Sequence, residues 1–190
     1  MIQLCLFLGN PGSRYRKTRH NSGQLFLEHI LPHIDASRYK EAFHGSWAQA
    51  HIASLPVIIL TPHTFMNESG RSIQAASHYF GINVDEILVV HDDLELPFGT
   101  TKIQQGGGLG GHNGLRSIVQ HLGSSHFFRA RIGIGRPQHQ DVSSFVLSRF
   151  DPIEESQLPL IFDALYNQLY TWCEHNTQTK SLPLISSLGK

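Results

Sequence analysis

The sequence predicts an α/β domain with a largely parallel β-sheet flanked by α-helices. Three observations carry that expectation. Residues 2–8, 56–60 and 87–90 are short runs apolar on both faces, as strands covered from both sides must be. Stretches with apolar residues at helical spacing separate them, so strands and helices alternate along the chain. At 190 residues the chain can also hide about 70% of its unfolded surface around one core, without disulfide or metal support. One domain over residues 1–176 follows, with a polar tail at 177–190.

Residues 2–8 (IQLCLFL) form the first strand, and Gly9, Asn10 and Pro11 stop it. From Asn21 the period changes: Leu25, Phe26, Ile30 and Leu31 share a helical face, and Pro32 ends the helix. Residues 56–60 (PVIIL) are the next buried strand. A helix then starts at a cap, Asn67 or Ser69, turns Ile73, Ala76 and Phe80 inward and ends at Gly81. Residues 87–90 (ILVV) are a third strand, running into His91, Asp92 and Asp93. A glycine-rich loop leads to a helix with Leu115, Ile118, Val119 and Leu122 inward. Phe128, Ala130, Ile132 and Ile134 alternate with Arg129, Arg131 and Gly133, which describes a strand with one polar face. The last helix opens on Asp151, Pro152 and Glu154, a cap, a first-position proline and an acid. Ile161, Leu165, Leu169 and Trp172 continue it at helical spacing.

Fifteen Lys and Arg cancel fifteen Asp and Glu, which excludes a uniformly basic nucleic-acid coat, and the 40% apolar content excludes a disordered chain. Cys5 and Cys173 belong to no CxxC pair, so neither a disulfide scaffold nor a cysteine zinc site is expected. The opening apolar run lacks a preceding basic residue and no later run approaches a membrane span, so a cytoplasmic protein is expected. The charges are segregated along the chain. Arg14, Arg16, Lys17 and Arg19 lie in an acid-free stretch, while Lys102, Arg116, Arg129, Arg131, Arg136 and Arg149 share residues 99–149 with Asp141 alone. Acids collect at 85–95 and 151–174. If the two basic stretches meet in space, they make a cationic face suited to phosphates.

Sites in such sheets form beyond the carboxyl ends of strands. The unusual segments fall there: residues 9–12 (GNPG) on to Asn21, 64–70 (TFMNESG) and 91–94 (HDDL), joined by 106–114 (GGGLGGHNG). His20, just before a helix, is the residue type for a general base near neutral pH, and Asp92 at a strand end is the natural acid to orient it. Asn10, Asn67 and Asn113 offer neutral amides that can grip a peptide backbone or an oxyanion. Each alone is more often a turn residue, but three in one cleft would mark a binding site. Met66 suits an adaptable apolar groove, or simply the core. Other chemistries lack their patterns. The glycine run matches GxGxxG only formally, no Walker lysine follows it, and HExxH and GxSxG are absent. A metal reading would rest on His91, Asp92 and Asp93 with His112. The residues alone point to a hydrolytic or binding site and name no substrate.

Taken together, LGNPGSRYRKTRHNSG, TFMNESG, HDDLELPFG, GGGLGGHNGLRSI and FRARIGIGRP resemble bacterial peptidyl-tRNA hydrolase, in the family's order and with similar spacing. The resemblance covers nearly everything from Leu4 to Phe150. It implies hydrolysis of the ester joining a peptide to the terminal ribose of a tRNA, by a monomeric, metal-independent enzyme with no cofactor and a mixed rather than wholly parallel sheet. It places the catalytic histidine on His20, its aspartate on Asp92, and substrate contacts on Asn10, Tyr15, Met66, Asn67 and Asn113. Lys102, Arg129, Arg131 and Arg136 are then the cations expected to meet tRNA phosphates.

Two positions depart from the family's pattern. Its lysine two residues before the triple glycine is Gln104 here, with Lys102 nearby. After Arg136 and Pro137, the segment Gln138, His139, Gln140, Asp141 lacks the usual further cation, leaving Arg136 or His139 to serve. The alternative reading is a non-catalytic RNA-binding module on the same fold, similar to organellar splicing factors. Retention of the whole proposed catalytic set favours the enzyme.

Overall fold

β1 (Leu4–Phe7), buried along its whole length, lies at the centre of one eight-stranded sheet in a computed structural model that describes residues 1–52, 55–139 and 141–177. The other strands are β2 (Asp35–Ala36), β3 (Lys40–Ala42), β4 (Gly45–Ile52), β5 (Leu55–Pro62), β6 (Ile87–Asp93), β7 (Thr101–Gln105) and β8 (Phe128–Gly133). Their order is β2-β4-β5-β1-β6-β8-β7, with β3 also pairing with β4. β1 runs parallel to β5 and β6, and β6 parallel to β8. The four remaining pairings, at the two ends of the sheet, are antiparallel. The mixed α/β sheet agrees with expectation, but its parallel pairs form the centre and not the majority.

Among the described residues five α-helices cover it: α1 (Ser22–Ile30), α2 (Ser69–Phe80), α3 (Asn113–Leu122), α4 (Val142–Val146) and α5 (Pro152–Thr177). Alternation along the central strands sends side chains to two cores. Cys5, Phe7, Leu88, Val90 and Ile132 pack with Phe26 and Ile30 of α1 and Phe162 and Leu165 of α5. Leu4, Leu6, Leu8 and Val89 pack with Ile73 and Ala76 of α2 and Leu115 and Ile118 of α3. Both cysteines are buried. Among the described residues no helix is long and apolar enough to cross a membrane.

Several boundaries follow the sequence. Gly81 ends α2 in the left-handed conformation, and Asp151 caps α5 through the Ile153 and Glu154 amides at 2.8 Å. Neither Asn67 nor Ser69 caps α2: a 3-10 turn, Met66–Glu68, feeds the helix, and the Ser69 hydroxyl turns back to the Met66 carbonyl. α5 continues through Thr177, and the remainder of the expected tail, 178–190, lies outside the described residues. β2, β3, β4, β7 and α4 have no counterpart in the sequence reading. β7 (TKIQQ) is a polar edge strand with no buried residue, so it carries little apolar signal. The β3–β4 turn places Phe43 and His44 at φ 56° and 55°. Left-handed backbone at such residues costs on the order of 1–3 kcal/mol each, and packing of the Phe43 ring with Trp47, Tyr79 and Phe80 offsets it.

α1 begins against the strand ends with no room to spare. A Cβ on Gly23 would come within 2.5 Å of the Val90 carbonyl and 2.7 Å of the Leu8 carbonyl, both backbone. Gly23→Ala should therefore force α1 off the sheet and destabilise the protein by about 1–3 kcal/mol, the usual cost of overpacking. Urea unfolding of the two proteins checks this, and equal midpoints would show that the helix moves freely.

Candidate active site

The helix start before α1, the end of β6 and the start of α3 converge on one buried carboxylate. His20 lies in a 3-10 turn (Arg19–Asn21) just ahead of α1, and Asp92, 2% exposed, lies near the end of β6. His20 Nδ1 is 2.9 Å from Asp92 Oδ1 and 3.1 Å from Oδ2. His112, the N-cap of α3, reaches the same Oδ1 with its Nε2 at 3.1 Å. Its other nitrogen, Nδ1, accepts the amides of Gly114 and Leu115 at 3.1 and 3.3 Å. Because those amides are fixed donors, Nδ1 carries no proton and Nε2 must carry it. His112 thus donates to Asp92. The His20 Nδ1–H does the same, leaving His20 Nε2 as a lone pair with no protein partner among the described residues.

This arrangement sets the charges. Burial favours neutral Asp92, but the two imidazoles outweigh it and hold the carboxyl well below the usual range. Burial likewise opposes a charge on His20, yet the Asp92 charge and hydrogen bond win and raise its pKa above that of a free imidazole. His91, fully buried behind His112, is held neutral to about pH 3, first by burial and then by His112. Its Nδ1 donates to the Asp92 carbonyl at 2.6 Å.

A cleft of about 960 Å³ opens in front of His20. Asn10, Met66, Asn67, His112 and Asn113 line it, so the three asparagines do meet. The Met66 amide donates to Asn10 Oδ1 at 2.8 Å, which orients that side chain and leaves its NH2 without a protein partner among the described residues. Asn21 fixes the Asn10 backbone at both ends, accepting its N–H at 3.0 Å and donating to its carbonyl at 2.9 Å. Asn67 and Asn113 are exposed, and Arg116 donates to Asn113 Oδ1 at 3.1 Å. Tyr15 stands outside this lining, edge-on to Phe65 at 6.4 Å, and so supports the rim. α4 adds Val142, Ser143 and Val146 to the lining, with Leu147 following.

Asn21 and α4 are the parts the sequence reading missed as site elements, and His112 entered it only as a possible metal ligand. A histidine at a glycine-to-helix junction was the available signal for His112. Asn21 and α4 offered none beyond common turn and helix residues.

Part of the expected cationic face is ion-paired. The two basic stretches do touch, through a bridge between Thr18 and Arg149, but the segregated acids join them there. Lys17 pairs with Glu155 at 2.8 Å, Arg131 with Asp93 at 2.7 Å, and Arg136 with Glu95 at the cleft. Arg129 is 2% exposed, and its guanidinium donates to the carbonyls of Gly106 and Gly108. Expected as a phosphate contact, it is instead an internal clamp on the glycine loop, because β8 turns it under that loop. Gln104 belongs to the same cluster, accepting from Arg131 at 2.7 Å. Lys102 is exposed on β7, away from the cleft and next to α5.

The ligating atoms of His20, Asp92 and His112 lie within 4.8 Å of one another. A cation on His112 Nε2 would drive the proton to Nδ1, against the amides of α3, so this trio suits proton chemistry better than metal binding.

Residues 4–185 match the family model for peptidyl-tRNA hydrolase. The chain is similar to the peptidyl-tRNA hydrolase of Pelobacter propionicus, 47% identical over 82% of this chain and 81% of that protein. That of Marinobacter nauticus is 44% identical over 88% and 87% of the two chains. The crystal structure of peptidyl-tRNA hydrolase from Acinetobacter baumannii superposes with a TM-score of 0.82 at 38% identity, over 92% of this chain and 91% of that one.

The charges can be checked directly by NMR titration. The His20 midpoint should lie above the ordinary value of about 6.5. In Asp92→Asn the carboxylate charge is gone and burial alone remains, so the midpoint should fall below that value. A midpoint indifferent to the substitution would break the assigned pairing.

Proposed function

The chain belongs to the peptidyl-tRNA hydrolase family, and from that membership we propose that it cleaves the ester between a peptide and the terminal ribose of a tRNA, with His20 as general base. The observation that carries this reading is the His20 ring, tied by Nδ1 to buried Asp92 while it lines a cleft with three amides.

Water in the cleft attacks the ester carbonyl carbon as His20 Nε2 takes its proton. The carbonyl π electrons move onto oxygen, and a side-chain N–H of Asn10 or Asn67 donates a hydrogen bond to the resulting oxyanion. On collapse, the carbon–oxygen bond to the ribose breaks and the imidazolium returns its proton to the leaving hydroxyl. Products are a free peptide acid and a tRNA with its ribose hydroxyl restored. Asp92 holds His20 in the required tautomer and stabilises the transient imidazolium. His112 keeps Asp92 ionised and aimed. Asn113 and Met66 bind the peptide side of the substrate, and Tyr15 acts through Phe65.

Recognition of the tRNA rests on phosphates and carries no sequence information. Arg136 at the cleft, on exchanging Glu95 for a phosphate, and exposed Lys102 serve this role, Arg131 only after release from its more buried pair with Asp93, and Arg129 not at all. We place the enzyme in the cytoplasm as a monomer with no metal or cofactor. One chain supplies the whole site from residues 10 to 147, which supports treating residues 1–176 as one catalytic unit.

The decisive experiment is release of peptide from N-acetyl-aminoacyl-tRNA by wild type and His20→Ala, with chelator present. Wild type should release it, and the variant should bind tRNA yet turn over roughly 10²–10⁴ times more slowly, the usual worth of a general base. Binding without release by wild type would make the protein an RNA-binding module.

A further inference from the structure

The residue before the proposed base has a task that its charge does not suggest. Arg19 is 6% exposed, although its sequence neighbours Lys17 and Arg16 are on the surface. Its guanidinium forms a two-pronged ion pair with Glu154, at 2.9 and 2.6 Å. The rings of Phe145 and Phe150 lie 4.4 and 4.9 Å from its central carbon. Its Nε faces Ser148 Oγ at 3.4 Å, and its backbone N–H donates to the Ser148 carbonyl at 3.0 Å. All these partners lie between 145 and 154, where α4 ends and α5 begins.

α4 is five residues long. A helix that short has no stability of its own, for isolated helices need about 12–15 residues even in favourable sequences. Its place must come from tertiary contacts, and Asp141 caps only its first turn. Yet α4 and the residue after it bring Val142, Val146 and Leu147 to the cleft that the asparagines also line. Arg19 grips the exit of that segment, and His20 is covalently next to it.

We infer that Arg19 is a positioning residue, which holds α4 in register with His20 so that a substrate lying against Val142, Val146 and Leu147 meets the base at reacting distance. The inference rests on His20 being the base. Lysine keeps the charge but loses both the planar fork and the ring stacking. Misplacement by about 1 Å costs up to ~10²-fold in turnover.

The test is kcat and KM on N-acetyl-aminoacyl-tRNA against pH for wild type, Arg19→Lys and Phe145→Leu, with His20→Ala as control. Activity is taken per folded molecule, well below each unfolding temperature. Arg19→Lys should lose on the order of 10-fold to 10²-fold in kcat/KM, Phe145→Leu a smaller factor, and both should keep the wild-type acid midpoint, because Asp92 and His112 are untouched. A folded Arg19→Lys with wild-type kcat/KM overturns the inference, as does a shifted midpoint, which would mean that Arg19 acts through the base itself. Should Arg19→Lys fail to fold, Phe145→Leu decides, and unchanged turnover in it overturns the inference. Absence of release by wild type, or full activity in His20→Ala, would remove the underlying reading instead.

Discussion

A buried carboxylate is the constraint around which this protein is arranged. Asp92 is too deep for water to stabilise its charge, and an unpaired ion there would cost several kcal/mol. Two imidazole N–H groups provide the compensation, and each comes from a different part of the chain. The turn before α1, the end of β6 and the first residue of α3 are therefore fixed relative to one another. The two cores behind them serve the same end, since α1 and α3 approach from opposite faces of the sheet.

The same logic governs the cations. Arg19 and Arg129 sit inside: a carboxylate and two ring faces hold one, while the other donates to two glycine carbonyls and keeps its buried Nε without a partner among the described residues. Each holds a segment that lines the cleft, α4 in one case and the glycine loop in the other. Positive charge that a count along the chain assigns to the surface is spent on internal architecture. The exposed cations, Arg14, Arg16, Lys17, Lys102, Arg116, Arg136 and Arg149 among them, are left to meet a polyanion.

Much of this was legible in the sequence. β1, β5 and β6 are buried on both faces, so their apolar runs announced them, and GNPG, TFMN and HDD punctuated their ends. His20, Asp92 and the three asparagines were singled out because they fall in the unusual loops beyond the strand ends, and because five motifs in order resemble one family. The missing parts fail for identifiable reasons. β4 alternates with small and polar residues, β7 is an exposed edge, and α4 is too short for a period to show. Arg129 and Arg19 were misread because charge patterning records sign and position, while burial depends on which loop folds over the side chain. The role of His112 required knowing that both its nitrogens are engaged, which only three-dimensional placement reveals.

That double engagement also limits what position 112 can accept. His112 stands in for the usual oxygen-bearing cap of a helix, and imidazole differs from a hydroxyl or amide in carrying its acceptor and its donor on two sides of one rigid ring. A serine or asparagine there would keep the cap and lose the reach to Asp92. The helix would still start, while the carboxylate behind the cleft would lose one of its two donors.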